Sequence, residues 1–492
     1  MKSISSVHRF VLSTQLLILP LSICAEEPDG KRLYEQNCAS CHGLQFQGSG
    51  LGPALSPSTY IYGGEEWDVY RIAKNGLASK GMPAFGATLD EDQLNAIAKY
   101  VPTRKSAEEP EEDTADATPE TPQFDAPGKV STLDYEVNLE VVTDQLDTPW
   151  AIAFPDAETL LVTERVGRVR VIKNGKLDPK PIAGTPEVFV STHKWNQAGL
   201  HDIALDPDYA KNGWIYLAYS HPAPNVSNPE EPLSMTRIVR GKIKNHRWTQ
   251  EQVVFEAGAE HYNNHFWHYG GRMAFDAHGY LYFSVGDRGV HEQAREPGKP
   301  FGKFHRLHSD GRVPTDNPFR EKPGFLPSIF SLGHRNPQGM SLHPKTGKLW
   351  ATEHGPRGGD ELNILKATGD YGWPNVTYGI NYGGTPMTPH TRMEGVEQPV
   401  IYWRPSIGVS GMAFYQGGEF PLWRNKILAT ALARRELRLL TLDGERVQHE
   451  ETLVKFAGRP YEPAVGPNGS VYIVTDSPGM LLRLTASAER KL

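Results

Sequence analysis

Two thiols and an imidazole stand together at Cys38-Ala39-Ser40-Cys41-His42. Cysteines three positions apart can each add across one vinyl group of a single haem, and the adjacent His42 then falls beneath the iron as its proximal ligand. Upstream, Lys31 to Asn37 reads as a helical lead-in. Downstream, Gly81-Met82-Pro83-Ala84-Phe85 supplies a thioether 40 residues after His42. Imidazole with thioether raises a haem's potential, which suits an electron carrier rather than an oxygen binder. Such a carrier needs a source of electrons elsewhere in the chain.

This stretch resembles the class I cytochrome c domains, with Met82 in the position of their distal ligand. The resemblance implies a small all-α domain holding haem c, bounded here as 26–103. Asp90 with Gln93 makes a capping-box pattern, Leu94, Ile97, Ala98 and Val101 fall on one helical face, and Pro102 stops that helix. From Ser106 to Gly128 there are eight acidic residues, four prolines and no Lys or Arg. Such a composition buries too little apolar surface to order itself, so 104–130 reads as a disordered tether. An ordered, extended segment lying on one domain is the alternative. A flexible tether of this length spans roughly 25–30 Å and holds two domains at millimolar effective concentration.

The remainder, 131–492, is internally repetitive. Ala151–Pro155 with Leu160–Glu164, Asp202–Pro207 with Trp214–Leu217 and Gly271–Asp276 with Tyr280–Ser284 share one pattern. Gly339–Pro344 with Lys348–Glu353, Gly411–Tyr415 with Lys426–Thr430 and Glu462–Pro467 with Ser470–Asp476 repeat it. Each unit is a short strand, a Pro/Asp/Gly turn and a β-branched, aromatic strand. Six copies at intervals of about 50–70 residues, with no convincing amphipathic helix between them, predict a mainly β protein with six propeller blades. A β-sandwich is the structural alternative. Propellers gather loops around one end of a central channel, so the long inter-blade segments are where chemistry belongs.

Composition is consistent with this layout. The chain of 492 residues has room for two or three domains, and 48 Gly with 39 Pro imply many turns. A net charge of −7 gives no reason to expect nucleic acid. Lys2 and Arg9 precede an apolar run, Phe10 to Cys24, ending in Ser22-Ile23-Cys24-Ala25. That pattern predicts a secretory signal, 1–25, cleaved after Ala25; the run is too short for a transmembrane segment. Leu21-Ser22-Ile23-Cys24 has the outline of a lipoprotein box, but Ile23 fits it poorly. With Cys24 removed, the other two of the three cysteines serve haem, leaving none for a disulfide. Covalent haem outside the cytoplasm implies a periplasmic protein.

Three long segments stand out. His268-Tyr269-Gly270-Gly271-Arg272 leads to Ser284-Val285-Gly286-Asp287, Gly333 to Gly339 contains His334-Arg335-Asn336-Pro337, and Thr352 to Glu361 runs on to Asp370–Val376. With Gly302-Lys303 through Pro318-Phe319 and Tyr402-Trp403-Arg404-Pro405-Ser406 through Met412, the chain resembles the soluble PQQ-dependent aldose sugar dehydrogenases of the glucose/sorbosone dehydrogenase family from about Leu139 to Leu484. The resemblance implies PQQ, calcium and an aldose substrate. It makes His268 the base that takes the proton from a sugar's anomeric hydroxyl while hydride leaves the same carbon. Arg335 and Asn336 match the pair pointed at the reactive quinone carbonyl. Gly355 and Pro356 match residues whose carbonyls hold calcium, with Glu353, Asp360 and Glu361 adding negative charge. Gln197, Tyr402 and Trp403 match positions on the sugar side, and Arg459 a partner for a PQQ carboxylate.

Plainer readings stay open for each string. His261, His265 and His268 have a spacing that a helix would align for a transition metal, although Asn263-Asn264 argue against that helix. Arg-Asn-Pro and Gly-Pro are also ordinary turn sequences. The chain departs from the soluble glucose dehydrogenase pattern at Ala433, where a lysine is expected before Arg434 and Arg435. It departs again at Tyr461, where a second arginine is expected, and at Glu292 in place of a glutamine. The combined expectation is a periplasmic quinohaemoprotein that makes a lactone, with haem passing electrons singly to an acceptor such as a cytochrome or oxidase. The rivals are a non-catalytic propeller binding module carrying a cytochrome and a calcium-dependent propeller hydrolase. The joint presence of His268 with Arg335-Asn336 favours the dehydrogenase.

Overall fold

The computed structural model describes residues 28–56, 66–76, 81–101, 128–191, 193, 196–223, 233–382 and 384–489. The expected signal 1–25 and residues 104–127 of the expected tether lie outside them; Gly128–Ser131, at the tether's end, is already β-strand. The chain divides into two compact units between Ala107 and Glu108.

The first unit is helical: α1 (Gly30–Asn37), α2 (Ala39–His42), α3 (Glu66–Asn75) and α4 (Glu91–Tyr100). Asp29 caps α1 by accepting from the Lys31 and Arg32 N–H groups at 3.1 and 3.3 Å. The Asp90/Gln93 capping box starts α4, and Leu94, Ile97, Ala98 and Val101 are buried as their spacing requires. Helices α1 and α4 cross closely. A Cβ at Gly30 would stand 2.1 Å from the Ala96 carbonyl oxygen, so the crossing needs glycine. Tyr34, Phe46 and Tyr100 pack beside it, with ring centroids 4.7, 5.7 and 5.5 Å apart.

Among the described residues, the second unit forms six antiparallel sheets around a common axis. The inner strands of blades 1 to 6 are Pro149–Ala153, Leu200–Leu205, Met273–Phe275, Pro337–Leu342, Val409–Phe414 and Arg459–Val465. Each packs on the next, and the sixth returns to the first. The six sequence units are thus the first two strands of six propeller blades. Their continuous burial, as in Pro149–Ala153 and Ile427–Ala431, follows from each blade being covered on both faces. The ring is closed by a pairing the repeat does not announce. Tyr135–Thr143 runs antiparallel to the C-terminal strand Met480–Glu489, from Tyr135 opposite Glu489 to Thr143 opposite Leu481.

Hydroxyls staple neighbouring blades. The second strands of blades 1, 3 and 5 place Thr163, Ser284 and Thr430 to donate to the carbonyls of His201, Pro337 and Tyr461 on the next blade, at 2.7, 3.3 and 3.0 Å. Thr352 does the same from blade 4 to Ser410. Each bond satisfies a backbone acceptor that a packed interface would otherwise strand. Arg272 ties more of the ring together. It donates to Asp202 on blade 2, to Glu462 on blade 6 and to the Gln338 carbonyl on blade 4, at 3.0, 2.9 and 2.9 Å, and lies over Trp150 of blade 1.

In such a meander, the connection from second to third strand and the entry into the next inner strand open at one rim. That rim gathers Gln197, His268, Asp287, Arg335, Glu353–Asp360, Arg434 and Arg459. Residues 365–400, which leave blade 4 at the opposite rim, climb back to it. Leu332 bridges Asp370, and Arg357 bridges Ile380. No described helix is long and apolar enough to cross a membrane.

Candidate active site

His268 lies in an irregular segment after the 3₁₀ turn Ala259–His261, so His261 and His265 do not align with it on a helix. The group of potential metal-ligating residues found there is instead His268, Asp287 and His291. His268 holds a left-handed backbone, φ 57°, a conformation that persists only where surroundings enforce it. Its N–H donates to Gln197 Oε1 at 2.8 Å. The wholly buried Arg288 braces the segment by donating to the Trp267 and His265 carbonyls and to Asn263 Oδ1, its guanidinium 3.6 Å over the Tyr269 ring.

The imidazole of His268 is buried, and Nδ1 donates to Asp287 Oδ1 at 2.7 Å. This bond fixes the tautomer and leaves the Nε2 lone pair free. Burial, seconded by the charge of Arg335, pushes the His268 pKa down to about 4 against the opposing pull of Asp287. His268 is therefore neutral, and able to accept a proton, at neutral pH. Burial alone would raise the Asp287 carboxyl. The imidazoles of His268 and His291 and their hydrogen bonds instead hold it below the usual carboxylate range.

Arg335 and Asn336 enter blade 4 beside this pair. The Asp287 N–H donates to the Arg335 carbonyl at 2.7 Å, and the Gly270 N–H to Asn336 Oδ1 at 3.2 Å. Arg335 Nη1 donates to the carbonyls of His354 and Gly355 at 3.2 and 2.7 Å, its N–H to Glu353 Oε2 at 2.8 Å, and its guanidinium lies 5.2 Å from the Trp373 ring. Three polar atoms here are buried without a partner among the described residues: Arg335 Nε, Asn336 Nδ2 and His354 Nε2. Arg335 and His354 line one cleft, where a ligand carrying carbonyl or carboxylate oxygens would meet these groups. A quinone bearing carbonyls and carboxylates fits that description.

Arg335, Glu353, His354, Gly355, Glu361 and Trp373 are among the residues lining the cleft. The Pro356 carbonyl lies 3.1 Å from Ser406 Oγ, whose one proton serves Asp360, and the Gly355 carbonyl accepts from Arg335, so each keeps a lone pair for a cation. Asp360 is not free charge. Its two oxygens accept from the Gly355, Ile407 and Val409 N–H groups and from Ser406 Oγ. Nor does Glu361, which also lines the cleft, add the expected negative charge: burial and the neighbouring Glu353 push it up to about 8, so it keeps its proton at neutral pH, and the oxygens offered to calcium are the Gly355 and Pro356 carbonyls.

The remaining predicted residues divide. Gln197 spends its amide oxygen on His268 and its backbone carbonyl on His201, which makes it first a support for the base. Tyr402 is 39% exposed and stacks on Tyr378, centroids 3.7 Å apart. Trp403 is not brought to the cleft: it is buried, and Nε1 donates to Glu450 of blade 5 at 3.0 Å. Its place as the last residue of an outer strand, facing the next blade, explains the difference. Arg459 is exposed at the rim, near enough for its charge to bear on His354. Ala433 and Arg434 are exposed, Arg435 donates to the Ala457 carbonyl at 3.0 Å, and Tyr461 is buried with its ring 6.0 Å from Trp150.

In the helical unit, Cys38 and Cys41 are unpaired thiols flanking the start of α2, and His42 is buried. His42 Nδ1 donates to the Pro53 carbonyl at 2.9 Å, which orients the ring and leaves Nε2 for iron. Met82 is half-buried in the segment whose Phe85 and Gly86 N–H groups close onto the Ala73 and Lys74 carbonyls of α3.

Sequence reading gave no role to Asp287, His291, His354 or Trp373. Asp287 and His291 share one short loop, a weak signal. Trp373 Nε1 reaches Asp287 Oδ2 at 2.8 Å only because 365–400 folds back to the rim.

Comparison with known proteins agrees with both units. Residues 25–101 match the family model described as cytochrome c oxidase, cbb3-type, subunit III. Cytochrome c-554(547) of Halothiobacillus neapolitanus is 34% identical over 85 residues, covering 15% of this chain and 93% of that protein. Aldose sugar dehydrogenase YliI of Escherichia coli (strain K12) is 38% identical over 356 residues, covering 71% of this chain and 93% of its own. The apo-form crystal structure of the soluble aldose sugar dehydrogenase from Escherichia coli superposes with a TM-score of 0.65 at 38% identity, covering 71% of this chain and 99% of that one. Residues 146–483 match the glucose / sorbosone dehydrogenase family model, and the chain belongs to that family, its propeller preceded by a cytochrome c domain.

Proposed function

We propose that this protein oxidises the C1 hydroxyl of aldose sugars to a lactone with PQQ, and passes the electrons singly through its own haem c to a separate acceptor such as a cytochrome or oxidase. One observation carries the reading: a neutral, buried His268 with Nε2 free, beside the unpartnered Arg335 Nε, Asn336 Nδ2 and His354 Nε2. When bound, PQQ supplies a two-electron acceptor for hydride and haem c a one-electron relay. His268 takes the anomeric hydroxyl proton at Nε2, and Asp287 stabilises the imidazolium that forms. Arg335 and Asn336 hold donors where negative charge grows as hydride arrives, without having to reorganise. Arg459 would hold a PQQ carboxylate, and the Gly355 and Pro356 carbonyls would hold calcium. The signal-like N-terminus and covalent haem motif support a periplasmic location.

The direct test adds PQQ, calcium and an aldose to purified protein and records ferrous haem bands. No response to PQQ at saturating calcium would move the reading to a binding module.

The two units should be separable by mutation. Met82→Ala is expected to leave haem covalently bound through Cys38 and Cys41, lower its potential and open the iron to added ligands. Dye-linked sugar oxidation should survive while haem reduction falters. Loss of both activities would show that the units are not separable.

Cofactor retention is a further expectation. Arg435 is already engaged with Ala457, so of the two following arginines only the exposed Arg434 is left to stand in for the cation missing at Ala433, and the expected loss holds where it does not. A lost charge-assisted contact costs about 1.5–3 kcal/mol, one to two decades in affinity. Ala433→Lys should lower the PQQ concentration at half-maximal activity by about tenfold. Tyr461→Arg should instead lower thermal stability, because it places a guanidinium in a buried apolar cluster. Wild type saturating at equimolar PQQ would contradict the affinity argument.

A further inference from the structure

The carboxylate that holds the base is shared with a second histidine. Asp287 Oδ1 accepts from His268 Nδ1 and the Gly289 N–H at 2.7 and 2.9 Å. Oδ2 accepts from His291 Nδ1 and Trp373 Nε1 at 2.6 and 2.8 Å. The Asp287 side chain has no solvent exposure, whereas that of His291 is 33% exposed. A carboxylate with donors on one oxygen can swing about its Cβ–Cγ bond, and His268 Nε2 would then lose its aim. Donors on both oxygens restrain the plane, and His291 with Trp373 on Oδ2 restrain it more than Trp373 alone.

His291 is itself held firmly. It begins the 3₁₀ turn His291–Arg295, whose Gln293 and Ala294 carbonyls accept from the fully buried Lys303 Nζ at 3.2 and 2.7 Å. Arg295 closes the turn onto Asp370 at 2.6 Å. The loop thus delivers an imidazole to Asp287 from the side opposite His268.

We propose that His291 is a positioning residue for the base: with Trp373 it pins Asp287, and so fixes the tautomer and aim of His268. It acts through the carboxylate rather than on the sugar's reacting atoms. The inference rests on the reading of His268 as the base. Other charged or titratable groups around the trio are His265, Arg288, Glu292 and Arg335. Without the His291 donor, the Asp287 charge is shared less widely and favours the His268 imidazolium more. The acid limb of kcat/KM should then move to higher pH.

The test uses the full-length protein loaded with haem, PQQ and calcium, with PQQ binding titrated separately and thermal stability recorded. His291→Phe keeps a ring without a donor, and His291→Asn keeps a donor. His291→Phe is expected to lower kcat by about tenfold, leave KM and PQQ binding within about twofold, and raise the acid limb. His291→Asn should return kcat and the limb close to wild type. If the Phe variant folds poorly, Trp373→Phe removes the other Oδ2 donor and should shift the limb the same way. A wild-type kcat and limb in His291→Phe would overturn the proposal, as would equal damage from Asn and Phe, or a raised KM with kcat unchanged. A His268→Ala protein that keeps its activity would refute the base itself. An inactive His268→Ala beside a normal His291→Phe would refute only this inference.

Discussion

His268→Ala should retain covalent haem and bind PQQ, yet oxidise sugar at least about 100-fold more slowly, the usual weight of a general base. The expectation comes from where the side chain sits. Nδ1 is committed to Asp287, so Nε2 is the one ring atom able to take a proton. Burial and the Arg335 charge disfavour the imidazolium, placing the His268 pKa near 4 instead of the usual 6.5. The sign follows directly. The base is unprotonated above that value, so kcat/KM should stay level from neutral to mildly acidic pH and fall as pH drops through about 4. Dye-linked sugar oxidation and haem reduction, each measured from pH 3.5 to 8, check both points. Near-normal turnover in the Ala variant would remove His268 from the mechanism. A wild-type acid limb near 6.5 would mean that the base is more solvated than its burial implies.

The parts of this molecule that were legible in its sequence are those set by local chemistry. The Asp90/Gln93 capping box and the Leu94/Ile97/Ala98/Val101 stripe depend on contacts within one helix and on which face it buries. The blades showed themselves through their first two strands, because continuous β-branched and aromatic runs around Pro/Asp/Gly turns are what a doubly covered strand demands. Ring closure was not legible, since Tyr135–Thr143 and Met480–Glu489 carry no mark of being partners across more than 300 residues of chain. The site divides along the same line. His268, Arg335 and Asn336 sit in distinctive strings, and their segments meet at one rim. Asp287 gains its role only when the rim brings His268, His291 and Trp373 onto its two oxygens. Trp403 misled because adjacency to Tyr402 in sequence becomes opposite faces of a strand: Tyr402 remains exposed while Trp403 turns into the next blade.

Arg335→Met should lower kcat by about 100- to 1,000-fold, the range for losing one preorganised donor to developing negative charge. The guanidinium is set before any substrate arrives. Nη1 is clamped by the His354 and Gly355 carbonyls, the backbone N–H is held by Glu353, and buried Nε has no partner. Arg335→Lys should rescue little, because an ammonium cannot keep the carbonyl clamp and present a second, fixed donor together. The substitution has another consequence that a mere packing defect would lack. Arg335 is the second cause, after burial, of the depressed His268 pKa. With that charge gone, protonation of His268 becomes easier, and the acid limb of kcat/KM should move up from about 4 while the neutral plateau falls. PQQ titration separates weakened binding from slowed chemistry. If saturating PQQ restores a wild-type kcat, Arg335 serves retention of the cofactor alone. If kcat drops but the limb stays, the charge of Arg335 does not reach the base, and the electrostatic coupling across the cleft is wrong.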